Sequence, residues 1–291
     1  GLTRGDAGRI IKYNVATKNL TTAYTLSGDK AVPWYNDLIQ AKNGLLYGMT
    51  EGGGVHGAGI LFSFDPSSGV YKKIIDFNGG DNGGSPYGSL VEGANGFLYG
   101  MTEGGGTYSQ GTIFSFNYAN NSLTVLYSFN STQGRSPYGS LLQATDGKLY
   151  GMTESGGAND FGTVFSFSPT SKEYKLLHHF DGTNGRSPYG SLVQAGDGKL
   201  YGMTQFGGTD GNGIIFSITP NQSSPFAKRA EFKWTDGAWP NSTMTLVGSK
   251  LYGMTESGGA NNYGVIFSFD PAANTITKLS DFSEANGRSP Y

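Results

Sequence analysis

Four glutamates recur behind one word: Glu51, Glu103, Glu154 and Glu256 each follow Tyr-Gly-Met-Thr, with Gln205 in the fifth copy and Arg4 at the matching place near the N-terminus. Paired carboxylates hydrolyse glycosides when two of them flank a sugar roughly 5–9.5 Å apart. That chemistry needs unlike surroundings that split the two pKa values. A carboxylate copied together with its surroundings has like environments, which suits two other roles: bonding a loop or a neighbouring side chain, and holding a ligand. Arg135, Arg186 and Arg288, each opening an Arg-Ser-Pro-Tyr word, are the expected partners of these glutamates. Tyr87, Tyr138, Tyr189 and Tyr291 recur in the same words. Rings beside Asn and Gly suit sugar or protein recognition, because rings offer flat apolar area and amides bond hydroxyls. The plainer reading of Pro-Tyr-Gly is that it steers the chain into the next strand and packs there.

Other chemistry has weaker support. The three histidines are His56, His178 and His179. His178 and His179 are adjacent, so on a strand they point to opposite faces and do not share a metal. Asp181–Asn184 and Asp81–Asn82 faintly resemble calcium loops, but calcium takes six to eight oxygens and these acids are not repeated. The chain has no cysteine, which excludes thiol catalysis, cysteine-ligated zinc and disulfides. We therefore expect no catalytic residue, no metal and no cofactor. Asn-x-Ser/Thr at Asn19, Asn120, Asn130, Asn221 and Asn241 is close to chance in a chain so rich in these residues.

The elements that place these residues follow from a repeat. The recurring tyrosines Tyr47, Tyr99, Tyr150, Tyr201 and Tyr252 are 52, 51, 51 and 51 residues apart. Each is followed by a Phe-Ser-Phe type word (residues 59–64, 111–116, 162–167, 213–218 and 264–269), and most are preceded by Ser-Pro-Tyr-Gly-Ser-Leu. That word diverges to PWYNDL at 33–38 and PNSTMT at 240–245. One unit reads as a short SLVQA strand, an Asn-Gly or Asp-Gly turn expected to be a two-residue type I′ hairpin, and a second strand through YGMT. A Gly-rich loop, the FSF strand and a Pro/Asn turn follow. A fourth strand then ends near Phe77, Phe129, Phe180, Trp234 or Phe282. Four strands and no helix in about 51 residues predict an all-β fold, the four-stranded blades of a β-propeller. In Phe62-Ser63-Phe64 the rings share one face and the small Ser takes the other, so stacked blades interlock large against small.

The whole of residues 1–291 reads as a single propeller, with six blades expected. It has a partial unit at 1–29, units at about 30–80, 81–131, 132–182, 183–237 and 238–286, and the start of another at 287–291. The sixth blade is incomplete, lacking about a dozen residues by analogy with GSLVQAGDGKLY. A longer natural chain, strands donated by another copy, or a tolerated thin blade would each account for it. The second would make the protein a self-associating fibre or lattice subunit.

LYGMTESGG followed by GVIFSFDPAANTITKL is similar to a kelch blade, with its double Gly after the second strand and aromatic-Asp-Pro after the third. The combination of YGSLVQA, DGKLYGMT, GG and GTIFSF more closely resembles the GloVer tandem repeat of choice-of-anchor bacterial surface proteins, over nearly the whole chain. That resemblance implies an extracellular or cell-surface location and carries no catalytic residue. Two departures are the units that lose SPYGSL and the absence of a sorting signal.

Composition limits the partners. The net charge is −2, with 48 Gly, 18 Tyr and 18 Phe, so no basic face invites nucleic acid. No apolar run is long enough to cross a bilayer as a helix. The expected function is a non-catalytic surface module for adhesion, recognition or self-assembly, with a glycan or a surface protein as partner. The alternative is a polysaccharide-active hydrolase or lyase with its site at the channel mouth. Repeated polar sets favour the first and a unique cluster the second. The divergent segment 219–245, with Lys228, Arg229, Trp234 and Trp239, is the place to look for an exception. The candidate ligand-binding set is Glu51, Glu103, Glu154, Glu256, Arg135, Arg186, Tyr138, Tyr189, Trp234 and Trp239.

Overall fold

A computed structural model describes residues 1–3, 8–29, 31, 33 and 36–290. Arg4 and Tyr291, two of the recurring positions, lie outside the described residues, as do Trp34 and Tyr35 of the divergent PWYNDL word. The regular structure is β throughout, apart from single 3-10 turns at Leu26–Asp29 and Trp234–Asp236. Among the described residues there are six antiparallel sheets, five of four strands and one of three, the blades of a β-propeller. The three-stranded sheet is Leu2–Thr3, Arg9–Asn14 and Asn19–Thr25. In a representative four-stranded blade, Val193–Gln194, Leu200–Thr204, Ile214–Ile218 and Phe226–Glu231 pair in sequence order. Gly1–Asn130 with Ser136–Leu141 form one compact unit, and Ser131–Arg135 with Leu142–Tyr291 another.

The two central strands of each blade explain the conserved wording of the repeat. Gly202 lies opposite Phe216 and Tyr201 opposite Ser217. A Cβ on Gly202 would sit 2.6 Å from the Phe216 ring and 2.8 Å from Leu192, so the glycine is the floor on which the ring lies. The other face reverses the pairing, a large Tyr against a small Ser. Side chains alternate between faces along a strand, and here each face pairs large with small. Gly48, Gly100 and Gly253 meet Phe62, Phe114 and Phe267 in the same way.

Blade packing follows from those two faces. Tyr201, Met203 and Ile215 of one blade meet Leu251, Phe267 and Phe269 of the next, with Tyr201 and Phe269 ring centroids 5.9 Å apart. In the other compact unit, Tyr47, Met49 and Leu61 meet Leu98, Phe114 and Phe116. Each fully buried Phe contributes about 1.5–3 kcal/mol, so these clusters supply most of the adhesion between neighbouring blades.

The structure corrects three local expectations. The SLVQA strand contributes only Val193–Gln194 to its ladder. The Asp197-Gly198 turn is not type I′. Gly198 N–H donates to Ala195 O at 3.0 Å, Ala195 N–H donates to Lys199 O at 2.9 Å, and only Gly198 has positive φ, at 78°. This is a type I turn closed by a left-handed glycine. The Asx side chain has a different task from the one expected. Asp197 accepts from Lys199 N–H and from the buried Tyr201 hydroxyl at 2.9 Å, as Asp146 does from Tyr150 at 2.8 Å. Only Gly248-Ser249 makes a two-residue turn, pairing Val247 with Lys250. The third correction concerns Trp234. The aromatic that ends the fourth strand in that blade is Phe232, whose N–H donates to Gly213 O at 3.0 Å as Phe180 does to Gly162 O at 3.1 Å.

His178 and His179 do part to different surroundings. His179 Nδ1 accepts the Ala158 N–H at 3.0 Å. His178 stacks on Phe226 at 3.6 Å between ring centroids and meets Phe180 edge-on. Burial holds the His178 pKa below its ordinary 6.5, against the opposing pull of Asn184 and Asp181.

Two glycine variants separate space from conformation. Gly202→Ala is expected to cost about 1–3 kcal/mol by overpacking. Gly198→Ala meets nothing within 4 Å and is expected to cost about 1 kcal/mol from its left-handed backbone alone, most of which Gly198→Asn restores. Denaturant melts measure both. For His178, the unfolded chain binds the proton more tightly than the folded one. Stability present at neutral pH is therefore lost as pH falls through 6.5 toward the lower folded value. Thermal melts across that range are expected to fall less steeply in His178→Phe, and equal slopes would remove His178 from the account.

Candidate functional site

The loops after the second strand and the connections between blades lie side by side. Arg135 and Ser155 form an antiparallel bridge, as do Arg186 with Phe206 and Ala238 with Ser257. Among the described residues, the one before a connecting proline holds a left-handed backbone, with φ of 52° at Ser85 and Ser187 and 59° at Trp239. Its N–H reaches back to the preceding blade, Ser187 to Phe161 O at 2.9 Å and Trp239 to Asn212 O at 3.0 Å. Its carbonyl accepts from the position after YGMT, from Gln205 N–H at 3.1 Å or Glu256 N–H at 3.2 Å. These contacts set where every candidate side chain starts.

The repeated glutamates bond neutral groups. Tyr87 donates to Glu51 at 2.8 Å, Ser136 to Glu103 at 3.1 Å and Asn241 to Glu256 at 2.6 Å, while Glu154 is held by the neighbouring Ser155 hydroxyl. Burial, reinforced by the bond to Glu51, pushes the Tyr87 hydroxyl well above 10, so it stays a donor. Tyr138 packs on Tyr87 with ring centroids 4.7 Å apart, and Tyr189 is half-buried in its own connection.

The arginines do not pair with those glutamates, contrary to expectation. Arg135 forks onto Asp160, at 2.8 Å to one oxygen and 3.1 Å to the other, and with the Gly156 N–H it holds the Asp160 carboxyl below its ordinary 3.8. Arg186 instead lies over two rings, 4.8 Å from the Phe206 centroid and 5.8 Å from that of Phe161. It takes part in none of the ion pairs among the described residues. Phe206 meets Trp239 at 5.9 Å, and Trp239 meets Trp234 at 5.8 Å with the two indoles nearly perpendicular at 85°. Trp234 is 41% exposed. Lys228 and Arg229, from the same divergent segment, do not join this corner. They lie on the fourth strand, where Lys228 pairs with Glu231, holding that carboxyl at about 2, and Arg229 bonds Ser217.

Arg186, Trp234 and Trp239 are thus brought together by the fold, and Phe161 and Phe206 complete the group. Those two were not singled out in the sequence, although a signal existed: Phe206 stands where the other copies have Gly52, Gly104, Ser155 and Ser257. The informative positions were those where one copy departs from its siblings.

The sequence matches the Gloeobacter/Verrucomicrobia repeat over residues 1–144, 91–233 and 142–291. The chain belongs to this repeat family. No curated protein matches it. Among solved structures, a chain of a nidogen/laminin complex is 13% identical with a TM-score of 0.60, covering 99% of this family member and 94% of its own length. TolB from Acinetobacter baumannii is 12% identical with a TM-score of 0.55, over 98% of this chain, which spans only 62% of TolB. A gluconolactonase from Xanthomonas campestris is 14% identical with a TM-score of 0.55, covering 96% and 86%. At such identity the likeness is one of fold alone.

Trp239→Ser restores the residue found at 85, 136, 187 and 289. It is expected to change stability by less than about 1 kcal/mol, as for a surface position. A loss of several kcal/mol in urea would make the indole a packing element and not an exposed feature.

Proposed function

We propose that this member of the repeat family is a non-catalytic recognition module of the bacterial surface that binds polysaccharide through its Gly-rich loops. The observation that carries the reading is the partly exposed aromatic group of Phe206, Trp239 and Trp234, capped by Arg186. Rings stack on the apolar faces of sugars, and exposed aromatics without a packing role mark binding surfaces. The glutamates support the same reading. Each is engaged by a neutral hydroxyl or amide of the protein itself. A surface location fits the bacterial family, and no helix among the described residues is long and apolar enough to cross a membrane. Tyr189 lies in the same compact unit as this group and is a further candidate contact there, whereas Tyr138, Glu51 and Glu103 belong to the other unit.

The test is retention on insoluble polysaccharides, read together with reducing-end release. Retention without new reducing ends, lost in Trp234→Ala/Trp239→Ala and kept in Glu51→Gln and Glu103→Gln, is the expected outcome. Release of reducing ends or unsaturated products, abolished by a single Glu→Gln change, would make the protein a hydrolase or lyase.

A further inference from the structure

The units can be compared position by position at the corner where Arg186 sits. In the preceding blade, the Gly-rich loop 156–162 carries Asp160, and Asp160 neutralises Arg135. In the Arg186 blade the same loop runs from 207 to 213, and Gly211 stands at the Asp160 position. Both hold the left-handed backbone, with φ of 60° at Asp160 and 72° at Gly211. The loop keeps the left-handed residue at this position, but its acid stands one place back at Asp210, where the preceding loop has Asn159, and Asp210 and Arg186 form no ion pair among the described residues. The glutamate after YGMT is also gone from this blade, replaced by the neutral Gln205, and the next residue has become Phe206. The following connection adds Trp234 and Trp239 where the preceding one has Gly182 and Ser187. This blade therefore lacks the acid that neutralises the matching arginine and the glutamate after YGMT, carries Asp210 and Asp236 where the preceding unit has Asn159 and Asn184, and has gained three rings.

We propose that this corner binds acidic polysaccharide, with Arg186 taking the carboxylate of a uronate and the indoles of Trp234 and Trp239 taking the pyranose beside it. The inference rests on the recognition reading above and names its ligand class. The argument is one of charge complementarity. The Arg186 guanidinium is exposed, pinned over the Phe206 and Phe161 rings, and without an ion pair among the described residues. A planar fork already fixed in place suits bidentate contact with a carboxylate, because little side-chain freedom remains to be lost on binding. The two nearly perpendicular indoles offer a face and a wall to a ring whose C–H groups are apolar and whose rim is hydroxyl. A neutral glycan would leave the guanidinium without its counterpart. An acidic peptide would use the fork and leave the indoles without their flat partner.

Calorimetry of the full chain with polygalacturonate, its methyl ester, hydroxyethylcellulose and polyglutamate tests this. Binding is expected to polygalacturonate above the other three, weakening as salt is raised. Arg186→Gln is expected to weaken it by about tenfold or more. Gly211→Asp gives an independent variant: a side chain at 211 meets nothing within 4 Å, and the new carboxylate would copy Asp160 and occupy Arg186 from within. It should reduce polygalacturonate binding to a similar degree while leaving every ring in place. Equal affinity for acid and ester, unchanged in Arg186→Gln and Gly211→Asp, overturns the uronate assignment but leaves the recognition reading if Trp234→Ala still weakens binding. Polyglutamate bound as tightly as polygalacturonate, with the same variant pattern, reassigns the corner to acidic protein. No binding to any of the four polymers sinks both the assignment and the reading beneath it.

Discussion

The contact on which this structure depends is a phenylalanine ring lying on a glycine across two strands. In each of the pairs Gly48 with Phe62, Gly100 with Phe114, Gly202 with Phe216 and Gly253 with Phe267, a methyl group on the glycine would stand within 2.7 Å of the ring. Protein interiors have little room to absorb such an overlap. The glycine lets the ring lie flat against its own sheet, which leaves the outer side of the ring free to meet the tyrosine and methionine of the blade before it, as within the clusters around Tyr47 and Tyr201. A blade without that pair would either clash or leave a void. This is the physical reason that Tyr-Gly-Met-Thr and Phe-Ser-Phe are repeated with so little change.

Because the central strands carry the packing, the loops are released from it. The left-handed residue before the connecting prolines at 188 and 240 ties the lead-in to the next blade by backbone bonds, from Ser187 to Phe161, from Gln205 to Ser187 and from Trp239 to Asn212. Side chains on either side of it can then vary without cost to the core. Where they remain ordinary, they satisfy one another, as Arg135 does with Asp160 and Tyr87 with Glu51. Where they depart together, at Gln205, Phe206, Gly211, Trp234 and Trp239, Arg186 lies over Phe206 and that ring leads on to the two indoles. The propeller thus keeps a uniform frame and concentrates its individuality in one stretch of loops.

Much of this was legible in the sequence. The period of the tyrosines, the turn words between strands and the alternation in Phe-Ser-Phe specify four-stranded blades in the sequence itself. The turn chemistry was misread, because Asn-Gly and Asp-Gly are common to two hairpin types. What accompanies the observed type here is the bond from the Tyr201 hydroxyl to Asp197, which spans four residues and is invisible to a rule about backbone angles. Trp234 was misplaced for a related reason. Two aromatics near the end of one strand are equivalent on paper, and only the bond from Phe232 to Gly213 shows which one completes the ladder.

The sequence by itself determined the fold class, the repeat and the faces of the strands, because these follow from local periodicity, which survives in one dimension. Tertiary structure decided the partners. Whether Arg135 meets a glutamate or Asp160, and whether Arg186 meets an acid or a pair of rings, depends on which loops the blade places side by side. Residues 161, 186, 206 and 239 are far apart along the chain and come together only through the backbone bridge from Arg186 to Phe206 and the bond from Trp239 to Asn212. Side-chain contacts of this kind fall off within a few ångströms, so they are settled by where the strands end and not by the spacing of the residues.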